Sequence, residues 1–204
     1  MSGAVESLFL VVRHPETEAN SERRYVGSTE SPYSERGARQ AAMLVTVLRA
    51  WSPDRTLSSP RARALDVARL VAGEGGSLMV LEELAEIDFG CAEHMTADEM
   101  AAAGLRVDYP GMPPLEGREL CGESWESFRS RTARAAERFA AEQGKTLVVT
   151  HGGVIRAFMG EWFDLSPQAM YRLEVANAGY ALVAFRDGQP RLRSFGPDVS
   201  AIEP

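Results

Sequence analysis

The chain of 204 residues contains one lysine (Lys145), three histidines (His14, His94 and His151) and two cysteines. The cysteines, Cys91 and Cys121, lie far apart, with no Cys-x-x-Cys spacing and no histidine at ligand spacing, so neither a zinc site nor a disulfide framework has a basis here. Both are expected to be plain packing residues in a reducing compartment. Long hydrophobic runs are lacking too. The first apolar stretch, Leu8 to Val12, is far too short for a bilayer span or a secretory core, and Glu6 precedes it without a basic residue. A cytoplasmic protein with no targeting segment is expected. Nor is there a surplus of positive charge: Lys and Arg number 22 against 29 Asp and Glu, a net charge of −7. That balance argues against nucleic acid or an anionic membrane as partner, since both need a basic face. An anionic ligand would have to be held by local arginines.

What the chain does have is an ordinary globular composition, 45% hydrophobic and 25% charged, in a length suited to one domain. Apolar runs rich in β-branched residues alternate with stretches of helical period, the pattern of an α/β fold with a parallel sheet covered on both faces. Strands are expected at Ser7 to Val12, Arg55 to Ser58, Leu78 to Leu81 and Leu147 to Thr150. Helices follow from four sets of apolar residues at helical spacing: Ala41 to Leu48, Ala64 to Val71, Trp125 to Phe139 and Ile155 to Trp162. Ser34 is placed to cap the first of these. Tyr180 to Phe185 and Arg191 to Phe195 flank Asp187-Gly188 and read as a hairpin. The stretch Tyr109 to Gly122, with Pro110, Pro113, Pro114, Gly111 and Gly117, reads as a long loop without regular structure.

Two histidines directly follow apolar strands and precede breakers, in Val12-Arg13-His14-Pro15 and Thr150-His151-Gly152-Gly153. Ligands of open α/β sheets bind at the carboxyl ends of the strands, so both imidazoles should reach one crevice if their strands are neighbours. A single histidine so placed is ordinarily structural; two at equivalent strand ends favour a site. Such a pair could bind a metal, act as a base or attack a substrate. Arg13 beside His14, and Arg63 after another strand end, would repel a divalent cation and hold a phosphoryl group by bidentate hydrogen bonds. Arg61 reads as part of a solvated helix face. Gly152 and Gly153 open a helix whose free N–H groups would add to anion binding. Gly144-Lys145-Thr146 is no P-loop, because Phe139 stands where the first glycine is required and the tripeptide precedes a strand. No Gly-x-Ser-x-Gly or Gly-x-Gly-x-x-Gly occurs.

Taken together, the motifs resemble the histidine phosphatase superfamily, the phosphoglycerate-mutase-like proteins. The opening signature stands here as Arg13-His14-Pro15-Glu16-Thr17 with Asn20 behind it. Five further blocks follow in order: Gly27 to Gly37 with Gln40-Ala41, Ser58 to Ala64, Leu84 to Gly90, Gly122-Glu123-Ser124, and Thr150 to Arg156. The resemblance implies a three-layer α/β/α sandwich around a mostly parallel sheet, one domain over residues 1–204, with a loop-rich lid over about 88–124. It makes His14 the nucleophile, Arg13, Arg63 and His151 the phosphate clamp, and Glu86 the proton donor to the leaving oxygen; from sequence alone Glu86 would pass for a surface carboxylate. A neutral imidazole must attack, so one ring nitrogen of His14 should donate to a backbone carbonyl. Asn20, Thr17, Gly152, Glu16 and His94 are expected on the substrate side.

The chain departs from the family pattern at Pro15, where glycine is usual, at Ala92-Glu93-His94 in place of Trp-Glu-Gly, and at Asp66-Val67 in place of Gln-Thr. These bear on substrate identity more than on catalysis. The implied activity is hydrolysis of a small-molecule phosphate ester through a phosphohistidine, with no metal and no cofactor. A phosphosugar or a nucleotide-loop phosphate such as α-ribazole phosphate would suit the Gly-Glu-Ser block. The alternatives are a phosphomutase, whose family members are generally longer over the lid, and a catalytically silent binding domain, which should have lost a histidine or arginine that this chain keeps. A homodimer is open.

Overall fold

A computed structural model describes residues 7–109, 119–140, 143–199 and 202. A six-stranded sheet forms its centre, in the order β3-β2-β6-β1-β7-β8. These strands are β1 (Ser7–Arg13), β2 (Arg55–Ser58), β3 (Leu78–Val80), β6 (Lys145–Thr150), β7 (Tyr180–Arg186) and β8 (Gln189–Gly196). The first four run parallel; β7 is antiparallel to β1, and β8 is antiparallel to β7. The expected hairpin at Asp187-Gly188 joins these last two.

Strand side chains alternate between the two faces of the sheet, and in β1 both sets are buried. Phe9 and Val11 pack on one side with Phe128, Phe139, Ile155 and Phe158 from α5 (Trp125–Ala140) and α6 (Gly152–Phe163). Leu10 and Val12 pack on the other with Leu44, Leu48, Ala64 and Val67 from α2 (Glu35–Trp51) and α3 (Ala62–Ala72). Helices on both faces make three layers, which is why the central strands carry no solvent-facing polar set. Ser34 does cap α2, accepting from the Gly37 N–H at 3.0 Å.

Two expectations are corrected. The stretch read as loop ends in a strand: β5 (Glu119–Cys121) pairs in parallel with β4 (Leu105–Val107). Pairing with a distant neighbour supplies what local sequence does not favour; residues 110–118 lie outside the described residues. The cysteines are not free. Cys91 and Cys121 form a disulfide, with Cα atoms 5.3 Å apart. Their bond joins β5 to the 3₁₀ turn Gly90–Ala92, and it adjoins the small apolar cluster of Ala92, Met100, Val107 and Cys121. Next to it, Gly122 at φ +73° brings its Cα so close to the Asp88 carbonyl that a Cβ would lie 2.0 Å from that oxygen. The segment over the carboxyl ends of the strands thus has its own cluster and its own staple.

The bond predicts that the denatured, unreduced protein shows no titratable thiol; two free thiols would contradict it. Cys121→Ala should lower unfolding stability by about 2–4 kcal/mol, the usual worth of a native disulfide, as read by denaturant titration.

Candidate active site

The sheet order brings the strand-end residues together. β1 and β6 are neighbours with Arg13 opposite Thr150, and the ladder runs on one step, the His14 N–H donating to the Thr150 carbonyl at 2.9 Å. His14 and His151 are therefore next in register, with ring centroids 5.1 Å apart and planes inclined by 62°. β2 lies on the other side of β6 and delivers Ser59, Arg61 and Arg63. A 3₁₀ turn after β3, Glu82–Leu84, leads to Glu86.

Hydrogen bonds select the tautomer of each ring. The Nδ1 of His14 lies 2.7 Å from the Pro15 carbonyl, which can only accept, so Nδ1 carries the proton and Nε2 of the neutral ring is bare. The Nε2 of His151 lies 2.7 Å from the Ser59 hydroxyl oxygen, which itself accepts from the Arg61 N–H at 3.2 Å. The Ser59 proton is thus directed to His151 Nε2, which leaves the proton of that ring on Nδ1. That buried nitrogen has no hydrogen-bond partner among the described residues. Burial, then the charges of Arg63 and Arg13, hold His14 well below the ordinary histidine value; burial, Arg63 and His14 do the same to His151.

The arginines are tied to backbone carbonyls in place of carboxylates. Arg63, 2% exposed, donates to Thr29 and Gly27 at 2.8 Å and to Val26 at 3.2 Å, with Glu30 at 3.6 Å as its one ion-pair contact among the described residues. Arg13 donates to the Val175 carbonyl at 2.6 Å. Burial lowers Arg13 to about 10 against the pull of Glu86, so it stays charged in neutral solution. The Nε atoms of Arg13, Arg61 and Arg63 are buried without a hydrogen-bond partner among the described residues. Buried donors are rarely left unmatched, and four on these residues and His151 mark an anion site. Arg61 is thus not the solvated residue expected: it is half-buried, and its charge helps to lower His151.

The Glu86 carboxylate faces the start of α6, accepting from the Ile87 N–H at 3.0 Å and from the Gly153 N–H at 3.0 Å. The Gly153 N–H is therefore committed to Glu86 and not free for an anion. A Cβ at Gly153 would fall 2.2 Å from the Glu86 carboxylate, so only glycine admits this approach. Arg131 of α5 fixes the segment from behind, donating to the carbonyls of Glu83, Ala85 and Glu86 and to both carboxylate oxygens of Glu123 at 2.9 Å. Neither Arg131 nor this use of Glu123 was legible in the sequence.

A cavity of about 310 Å³ opens beside these groups, lined by Arg13, Asn20, Glu86 and Gly152 among others. Asn20 holds its place by accepting from the Thr17 N–H and from Asn177. His14, His151 and Arg63 are not among its lining residues, and neither are three residues expected on the substrate side. Thr17 is fully buried as the cap of the short helix Glu18–Ser21, and Glu16 binds Ser34 and Arg36 at the start of α2. His94 is exposed at φ +62°, and its carbonyl accepts from Arg24. Each is turned away by a local cap, ion pair or turn that motif position does not reveal. Instead, Arg24, Tyr25, Phe89, Tyr109, Arg156 and Tyr171 were missed and line the cavity. Among the described residues no three His, Cys, Asp or Glu side chains group as metal ligands would.

The sequence pattern of the histidine phosphatase superfamily (branch 1) matches residues 9–197. The chain belongs to that superfamily. It is 30% identical over 194 residues to the adenosylcobalamin/alpha-ribazole phosphatase of Salmonella typhimurium, covering 90% of this chain and 93% of the relative. It is 28% identical to a protein of Cronobacter sakazakii named probable phosphoglycerate mutase GpmB, covering 86% of this chain and 84% of the other. Among solved structures, the phosphoserine phosphatase of Entamoeba histolytica in complex with 3-phosphoglyceric acid superposes with a TM-score of 0.77 at 26% identity, covering 93% of this chain and 96% of that one. The family resemblance read from the sequence, and its three-layer α/β fold, therefore hold. A phosphatase acting on phosphate esters fits this kinship.

The electrostatics predict that neither site imidazole gains a proton as pH falls from alkaline values through 6.5, checked by ¹⁵N shifts of the ring nitrogens. Arg63→Met removes a charge that lowers both, so both titrations should move to higher pH. A wild-type site ring titrating at or above 6.5 would contradict the account.

Proposed function

We propose that the protein is a metal-independent phosphomonoesterase that hydrolyses a small-molecule phosphate ester through a phosphohistidine at His14. The observation that carries this reading is the bare Nε2 of a neutral His14 beside guanidinium groups whose Nε donors have no partner among the described residues. The arginines supply fixed positive charge where the phosphoryl group gathers negative charge, the chief need of this chemistry.

In the first step His14 Nε2 attacks phosphorus and the ester P–O bond breaks, while Glu86 gives its proton to the departing oxygen. Arg13, Arg63 and the Nδ1–H of His151 hold the non-bridging oxygens. In the second, water attacks the phosphohistidine, its proton passes to Glu86, the N–P bond breaks, and inorganic phosphate leaves. Asn20 and Gly152 face the same cavity and belong to the substrate side. The names of the relatives support esters of small metabolites as the substrate class, and the described residues 88–109 and 119–124 act as the rim over them. We also place the protein in the cytoplasm, although the bonded cysteines no longer speak for that setting; no helix among the described residues is long and apolar enough to cross a membrane.

Glu86→Gln should slow alkyl phosphates by about 10²-fold or more but p-nitrophenyl phosphate, whose anion leaves unaided, far less. Equal losses would remove Glu86 from the protonation step. Phosphate release should be unchanged by EDTA, and product analysis with and without a bisphosphate primer should show hydrolysis alone; an isomerised ester would establish a mutase.

A further inference from the structure

Each cysteine of the disulfide stands two residues before a glutamate that supports one side of the active site. Cys91 precedes Glu93, whose carboxylate accepts from the N–H groups of Gly27, Ser28 and Phe89 at 2.9 to 3.0 Å and so shapes the loop that grips Arg63. The carbonyls of Gly27 and Thr29 that hold this arginine belong to that loop. Cys121 precedes Glu123, whose carboxylate accepts two hydrogen bonds from Arg131 at 2.9 Å, and Arg131 in turn donates to the carbonyls of Ala85 and Glu86. One covalent bond therefore links the support of the phosphate clamp to that of the proton donor.

The bond spans a segment with a small core of its own: a parallel pair with three residues in each strand, and a cluster of four buried residues, one of them Cys121. Two-stranded sheets of that size are marginal by themselves. A cross-link between positions 30 apart therefore contributes much of the order of this segment. Cys91 is exposed whereas Cys121 is 1% exposed, so a thiol in solution meets the bond from the Cys91 side. In the cytoplasm proposed above, a bond so reached is not a permanent fixture, because disulfides there are as a rule transient or redox-sensing.

We infer that the Cys91–Cys121 bond is a redox control of the active site: closed, it holds Arg63 and Glu86 in working position; opened by a dithiol, it leaves both less firmly held and the enzyme slower. The effect on turnover rests on the phosphatase reading above, whereas the effect on phosphate binding does not. In the opening step a thiolate of the dithiol attacks Cys91 Sγ, the S–S bond breaks, and Cys121 Sγ leaves with the electron pair and takes up a proton. The second thiol of the reagent then attacks the mixed disulfide, which releases Cys91 as a thiol and the reagent as a cyclic disulfide. The protein gains two electrons and two protons, and the dithiol loses them.

The test compares the bonded enzyme, the enzyme reduced with dithiothreitol, and Cys91→Ser, with circular dichroism reporting the fold of each. Calorimetry gives the Kd of inorganic phosphate, and kcat/KM is measured for an alkyl phosphate and for p-nitrophenyl phosphate. Reduction should weaken phosphate about tenfold, the worth of one charge-assisted hydrogen bond. It should also slow the alkyl phosphate by a larger factor than p-nitrophenyl phosphate, because a loosened Glu86 is felt only where the leaving oxygen needs a proton. Cys91→Ser should match the reduced enzyme and ignore the dithiol, while reoxidation of the native chain should restore both readouts. Equal phosphate affinity and equal rates in the bonded and reduced enzymes would overturn the control and leave the bond a staple. Losses that accompany unfolding, or that fail to return on reoxidation, would overturn it as well, as would two titratable thiols that persist in oxidised dithiothreitol. A bonded enzyme that binds phosphate but hydrolyses neither ester would instead overturn the phosphatase reading, and the change in phosphate affinity would still decide the control.

Discussion

Positive charge confined next to two imidazoles, away from water, governs this molecule. Arg63 is buried and Arg13 half-buried, with little carboxylate to neutralise them, which costs free energy unless other groups answer it. Carbonyls of Val26, Gly27, Thr29 and Val175 answer with dipoles, and the rings of His14 and His151 answer by staying neutral. Dipoles reduce the strain of like charges but carry no net charge. An oxyanion would complete the set, and the same charges that draw it in keep the nucleophile unprotonated. Binding and activation are one electrostatic arrangement.

Much of the rest of the structure holds that arrangement in place. The loop whose carbonyls grip Arg63 is itself held by Glu93, which accepts from the N–H groups of Gly27 and Ser28 and from the Thr29 hydroxyl. Burial pushes the Glu93 carboxyl up, yet these hydrogen bonds outweigh it and keep the group below the usual range. Glu93 lies two residues beyond the disulfide cysteine Cys91, so the staple, the loop and the guanidinium form one chain of support. Arg131 plays the corresponding part for Glu86, linking α5 and Glu123 to the carbonyls around it.

The sequence made the sheet readable because buried parallel strands leave long β-branched runs, and the two histidines stood out because each ends such a run. Their meeting depended on β1 and β6 being neighbours, which strand pattern alone leaves open and family resemblance supplied. The disulfide could not be read, since it depends on β5 pairing with β4 and on a turn that brings Gly90 against Gly122. Glu16, Thr17 and His94 sit inside or next to motif blocks but are consumed by a helix start, a cap and a turn. Arg156 and Tyr109 were silent for the opposite reason: one closes its motif block with no role read for it and the other lies on the covering segment, and only folding aims them at the same hollow.

The proposed chemistry turns on where the phosphoryl group resides in mid-reaction. Rapid alkaline quenching during turnover of a phosphate ester labelled with ³²P, followed by peptide mapping, reports this directly. The expected result is an acid-labile label on His14, absent from His14→Ala. A label that survives acid, or one found on any other residue, would contradict it.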